Sequence, residues 1–466
     1  MNDRIPDAES SHCLENFEIA AGRKTGEFYG AVFQDTDVAK WLEAVGFSLA
    51  CYPDEALEKT ADEVIDLIAE AQCEDGYINT YYTIKEPGKR CTDLCEGHEL
   101  YTAGHLIEAA VAYYEGTGKK KFLDCVSKFA DLICDTFGTE EGKIHGYPES
   151  CASIGLALFG LRMAQITGES QYIDVAERAL YNTVLAGIAL DGKSFFYVNP
   201  LEVWPPACME GTSKKHVKPI RQKWFGVACC PPNIARTLAS LGQYIYAENS
   251  KKKELYVNLF VSNETELDWN ENKISVKLQT EFPWVNTYSL EIKNVPEGEM
   301  DLLLRVPDYA QDYQVTADGN MYEENKELEK GYRRVHVEKD TRIEVSFAAP
   351  AKFVYANPQV RADSGKAAIV RGPLVYCLEE IDNSQNLPAV FVDTDTALEE
   401  EKSDLFGGIV TVKARGKKIV ESSVSNSLYS GQKPQLEDVE LTAIPYPYWN
   451  NRGEGEMLVW MKELRP

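Results

Sequence analysis

The sequence predicts a multidomain α plus β protein: an (α/α) toroid of helical hairpins followed by β-sandwich domains. Three observations predict it. Helix–turn–helix units recur through the first half, and the hydrophobic period changes from helical to two near Leu255. Pro, Gly and Asn turns then punctuate the remainder. The domains expected are 1–250 helical, 251–350 a β-sandwich, and 351–466 a second β-rich domain.

The helical half is read in order. Tyr52-Pro53-Asp54 is a start signal, and Leu57, Ala61, Val64, Ile65 and Ile68 follow at helical spacing, so Trp41–Ala71 forms a hairpin turning at Tyr52-Pro53. A helix over Gly104–Tyr114 runs through Thr117-Gly118 and Phe122 into a second. A helix over Ile154–Ile166 runs through Thr167-Gly168 and Tyr172 into another. Repeated hairpins that bury their apolar faces against neighbours make a toroid. Many sugar-processing enzymes use that architecture, an analogy of fold only. A further helix begins at Pro231-Pro232-Asn233.

In the second half Leu255, Val257, Leu259 and Val261 alternate, as do Ile343, Val345 and Phe347, which makes strands. Asp393–Asp404 reads as an acidic surface loop.

Of 466 residues, 44% are hydrophobic and 11% aromatic, the composition of a globular protein. A net charge of −26 excludes nucleic acid and anionic membrane as partners, since both need basic surface. Lys119–Lys121 and Lys251–Lys253 are short and read as solvated loops. Met1–Asp7 lacks the order of a signal peptide, and no apolar run approaches membrane-spanning length. The twelve cysteines are scattered rather than framed, so they read as reduced thiols of a cytoplasmic protein, where the Asn263-Glu264-Thr265 sequon carries no meaning. No Gly-rich phosphate loop occurs.

The chemistry centres on Cys229-Cys230. Neighbouring cysteines cannot easily bridge, whereas a metal uses two thiolates, and a helix start lowers a thiol's pKa. Glu149 and Cys151 are the best partner segment, and with Cys229 and Cys230 they make a four-coordinate set of the kind Zn2+ accepts. Against this, twelve cysteines place some pairs together by chance, and Cys is a common core residue. Cys91, Cys95 and His98 form a rival set without an obvious fourth ligand. His98 and His105 flank a helix start, a good place to face a cavity. His145 and His216 lie in loops, His12 near the terminus, and His336 in a strand. Gly192–Pro200 gathers aromatic and polar residues fit for a sugar or for a buried strand. Phe33–Asp37 either caps a helix at Val38 or lines a cleft.

Tyr147-Pro148-Glu149-Ser150-Cys151, Leu190-Asp191-Gly192 with Tyr197-Val198-Asn199, and Phe225–Pro231 together resemble the β-L-arabinofuranosidases of glycoside hydrolase family 127. So do Val32–Asp35, His98–Tyr101, Ile369–Cys377 and Gly455-Glu456-Met457. The resemblance spans nearly the whole chain. It implies a retaining, exo-acting glycosidase acting on a small arabinofuranoside-like carbohydrate. Cys229 would be the nucleophile, Glu149, Cys151, Cys229 and Cys230 the zinc ligands, and His98 and Tyr197 sugar contacts. A thiolate would attack the anomeric carbon, and water would hydrolyse the thioether.

The chain departs from that family between Gly142–Gly146 and Glu149, where family members carry further helices, so the toroid is expected to be incomplete, truncated near 146–149. About seven helices are read where six hairpins need about twelve. The missing stretch holds the family's acid/base glutamate, and no residue here matches it. Glu140 and Glu141 belong to the earlier motif. An incomplete toroid would leave apolar faces for a homodimer to cover. The alternative function is a catalytically inactive, zinc-stabilised carbohydrate-binding homologue.

Overall fold

The structure, a computed structural model, describes residues 11–93, 96–136, 149–212, 214, 217–225, 230–269, 272–295, 300–324, 326–420 and 429–464. It divides into two compact units, Met1–Tyr147 and Pro148–Pro466.

The first unit is helical: α1 (Cys13–Ala20), α2 (Asp35–Cys51), α3 (Glu55–Ala71), α4 (Thr80–Ile84), α5 (Glu99–Thr117) and α6 (Lys121–Thr136). Asp54 caps α3, its carboxylate accepting from the N–H groups of Ala56 at 2.9 Å and Leu57 at 3.0 Å. The turn expected at Tyr52-Pro53 therefore separates α2 from α3. Helices α2 and α5 approach backbone to backbone at Gly46, where an added Cβ would meet the Ala112 carbonyl carbon at 2.5 Å. Val38, Leu42, Leu106 and Ala110 are fully buried. Asp35 is the first residue of α2 rather than a cap for a helix at Val38. Its buried carboxylate accepts from the Thr80 N–H at 2.7 Å and hydroxyl at 2.5 Å, tying α2 to α4.

The second unit opens with α7 (Ser150–Thr167) and α8 (Gln171–Ala179). Helix α8 runs into a π turn at Leu180–Val184, and α9 (Cys230–Ser240) follows. Gly118 after α5 and Gly168 after α7 adopt φ of 74° and 70°, and their N–H groups close on Tyr114 and Ala164 carbonyls. Only glycine takes that left-handed C-terminal position without strain, which is why Thr-Gly recurs. Nine helices precede the first long strand among the described residues, against about seven read from periodicity. The short α1 and α4 offer too few turns to show a period. Helix α7 has a mean hydropathy of 1.2 over 18 residues, enough to cross a membrane by length and composition, contrary to the expectation of no such run. Ile154, Ala157, Leu158 and Leu161 instead bury against α8, α9 and the strands behind them.

Two sheets follow and share one core: a four-stranded sheet (Tyr246–Asn249, Glu254–Val257, Met300–Arg305, Tyr332–Val337) and a six-stranded antiparallel sheet over 263–348. The alternating Leu255 and Val257 and the alternating Ile343, Val345 and Phe347 point into that core. A ten-stranded sheet occupies 352–463 and takes in Glu202–Val203 from the preceding segment. Both of its faces are covered: Ala367 and Ile369 join one cluster and Ala368 the other. The expected acidic loop at Asp393–Asp404 contains an edge strand, Glu399–Ser403, paired with Ile409–Ile419. Its side chains are mostly solvated, so acidity marked an edge rather than a loop.

Buried ion pairs lock α8 to the four-stranded sheet. The fully buried Arg305 guanidinium donates to Asp174 at 2.7 Å and to Glu177, and the Tyr309 hydroxyl donates to Glu177 at 2.6 Å.

Candidate metal centre

Glu149, Cys151 and Cys230 come together in the second unit, their donor atoms all within 4.8 Å of one another. Cys151 lies in the first turn of α7 and Cys230 opens α9, so two helix N-termini deliver the thiols. The Cys151 and Cys230 Sγ atoms are 3.6 Å apart, and both side chains are buried. That separation is not a disulfide. Two thiolates on one tetrahedral zinc, with Zn–S of about 2.3 Å, sit about 3.8 Å apart. Two buried sulfurs at that spacing with a carboxylate beside them form a donor set that suits such a metal.

Local folding explains the convergence. Glu149 pairs as an isolated β-bridge with Val198, and the Ser150 N–H donates to the Tyr197 carbonyl at 3.1 Å. The Ser150 hydroxyl donates to the Phe196 carbonyl at 3.0 Å and accepts from the Asn199 amide at 2.9 Å. Phe195 exchanges both backbone hydrogen bonds with Gln222 at 2.9 Å, which brings the segment before Cys230 alongside. Phe195 packs with Cys151 and Cys230, and Tyr197 and Phe225 lie against that cluster. The Phe195 and Phe225 rings are 4.9 Å apart, and those of Tyr197 and Phe225 are 6.0 Å apart. An aromatic wall that includes a half-buried tyrosine therefore borders the thiols, a surface suited to the apolar face of a sugar ring.

Behind this wall sits Arg221, which periodicity missed because it lies in an irregular basic stretch. Its buried guanidinium donates to the Ala186 carbonyl at 2.9 Å and the Trp449 carbonyl at 2.8 Å, and lies 4.7 Å from the Phe196 ring centroid. Burial pushes its pKa down to about 10. The clamp joins the Phe196 segment to the C-terminal sheet.

Cys229 lies outside the described residues, as do Cys95, His145 and His216. His98 belongs to the first unit, at the N-terminus of α5 with φ of 51°. Its Nδ1 is 2.7 Å from the Glu96 carbonyl, which can only accept. Nδ1 therefore carries a proton and donates this hydrogen bond. The rings of Phe33 and Tyr101 flank His98 at 5.1 Å and 5.9 Å, and Tyr101 is 4.6 Å from His105. Cys91, of the rival set, has its N–H bonded to Glu99 at 2.7 Å and its thiol facing the same carboxylate. Burial, with Glu99 nearby, pushes that thiol up to about 11. Among the described residues, Glu149, Cys151 and Cys230 are the only such convergence of three donors.

Residues 1–150 and 143–243 match the β-L-arabinofuranosidase, GH127 catalytic domain; 254–350 match the GH127 middle domain; and 351–462 match the glycoside hydrolase family 127 C-terminal domain. The chain is 29% identical to a non-reducing end β-L-arabinofuranosidase of Bifidobacterium longum over 613 aligned positions, covering 97% of this chain and 92% of that protein. It is similar to the crystal structure of a GH127 β-L-arabinofuranosidase from Geobacillus stearothermophilus T6, with 38% identity, a TM-score of 0.66 and coverage of 99% and 95%. It is also similar to a solved GH127 β-arabinofuranosidase, with 28% identity, a TM-score of 0.59 and coverage of 97% and 92%.

Proposed function

The chain belongs to glycoside hydrolase family 127, and from that membership we propose a retaining, exo-acting β-L-arabinofuranosidase-like hydrolase with Cys229 as nucleophile and zinc held by Glu149, Cys151, Cys229 and Cys230. The observation that carries this reading is the convergence of Glu149, Cys151 and Cys230, which sequence alone joined across 79 positions. Zinc, when bound, supplies the charge that keeps its thiol ligands deprotonated.

The Cys229 thiolate attacks the anomeric carbon, a C–S bond forms, and the C–O bond to the leaving group breaks. Water then attacks the same carbon from the face opposite the C–S bond and returns the sulfur as thiolate; the proton it loses balances the one taken up by the departed leaving-group oxygen, and two inversions give net retention. Tyr197, which lies against the thiol cluster, is the proposed sugar contact there, and His98, in the first unit, is a proposed contact on the family resemblance alone.

The catalytic domain is shortened internally near 146–149, and the family's acid/base glutamate falls in the shortened stretch. Two observations favour this: the catalytic match breaks into 1–150 and 143–243, and the alignment to the Bifidobacterium enzyme extends over 613 positions for a chain of 466. Losing a general acid costs about a hundred- to ten-thousandfold. The same observations support a second reading, a catalytically silent zinc-stabilised homologue that binds sugar.

An aryl β-L-arabinofuranoside, whose leaving group needs no acid, separates the two. Turnover to the β-anomer by protein of measured zinc content, lost in Cys229→Ser, is expected. Bound zinc without turnover would leave the silent reading.

A further inference from the structure

We propose that Ser150, with Asn199, is a positioning residue that sets the spacing of the metal donors. The inference rests on the zinc reading above and goes beyond it by assigning a role to residues that are not ligands. Ser150 lies in sequence between the donors Glu149 and Cys151 and is fully buried. Three hydrogen bonds hold it to one neighbouring segment: its N–H to the Tyr197 carbonyl, its hydroxyl to the Phe196 carbonyl, and the Asn199 amide to its hydroxyl. The turn that presents both donors is thus pinned from its middle.

The packing around the hydroxyl leaves it one place. An added Cβ on Gly187 would lie 2.8 Å from the Ser150 Oγ, so the glycine makes room for it. Asn199 is fully buried, and its Oδ1 has no hydrogen-bond partner. A buried amide with one end unsatisfied costs stability, and the other end of this one donates to the Ser150 hydroxyl at 2.9 Å. Removing such supporting groups typically weakens metal binding about 10- to 100-fold.

The test is the zinc dissociation constant of the full chain by chelator competition, beside the melting temperature of the metal-free protein. Ser150→Ala is expected to weaken zinc binding about 10- to 100-fold. Asn199→Leu, which keeps the hydroxyl but removes its donor and the orphan carbonyl, is expected to weaken it about five- to tenfold with the metal-free melting temperature nearly unchanged. This second variant carries the test should Ser150→Ala fail to fold. Zinc affinity within about twofold of wild type in both variants overturns the positioning role and leaves the zinc reading standing. A wild-type chain that binds no zinc overturns both.

Discussion

Cys151 Sγ lies 3.6 Å from Cys230 Sγ, each thiol at the start of its own helix and the two 79 positions apart. Nothing in ordinary core packing requires two buried thiols and a carboxylate to meet. A metal that binds them only when folded must stabilise the fold, by about 4 kcal/mol at a thousandfold excess over its dissociation constant. Chelation is therefore expected to lower the melting temperature of the wild type by several degrees. Cys230→Ala should melt at the lower temperature with or without chelator. A chelator-insensitive wild type would contradict this.

Glu177 receives both Arg305 and Tyr309 in the core. Glu177→Ala leaves Arg305 with Asp174 alone and orphans the Tyr309 hydroxyl, an expected loss of about 3–5 kcal/mol in urea unfolding. Replacing Arg305, Asp174 and Glu177 together with Leu or Met should cost less than that single change, because no charge is then buried unpaired.

Burial pushes the Asp35 carboxyl up to about 6, against the opposing hydrogen bonds from Thr80. Between its ordinary value of 3.8 and that raised value, the folded chain holds a proton the unfolded chain has released. Its contribution is therefore present at low pH and lost as pH rises through about 6. The stability of wild type relative to Asp35→Asn is expected to fall by on the order of 1 kcal/mol between about pH 5 and 7.5, as read by unfolding at each pH. A difference that rises over the same range would reverse the sign.

Arg221→Lys retains charge but cannot span the Ala186 and Trp449 carbonyls while lying on Phe196. A loss of about 2–3 kcal/mol is expected in thermal or urea unfolding. An unchanged melting temperature would show that the clamp contributes nothing.

The helices α2, α3, α5, α6 and α7 were legible because each is long, periodic and punctuated by Pro53, Gly118 or Gly168, and the shorter α8 because it follows Gly168 in the same repeated unit. Helix α4 has five residues, and the strand Glu202–Val203 joins a sheet whose other strands begin 150 positions later, so neither leaves a local trace. The segments around Glu149 and Cys230, which converge in the fold, were legible through residue type. Arg221 and the Ser150–Asn199 contact were not, because their meaning is created by tertiary proximity. The acidic run at Glu399–Ser403 misled for the converse reason: an edge strand with solvated side chains has the composition of a loop.

The central claim is that Cys229 carries the sugar. If the shortened stretch takes the general base with it, the thioether formed from an aryl β-L-arabinofuranoside should be made faster than water releases it. The most direct measurement is rapid-quench mass spectrometry of the intact chain during that reaction, with peptide mapping. The account predicts a burst of aryl alcohol and one anhydropentose on the peptide containing Cys229, both absent in Cys229→Ser. Turnover that persists in Cys229→Ser, or an adduct on another residue, would contradict it.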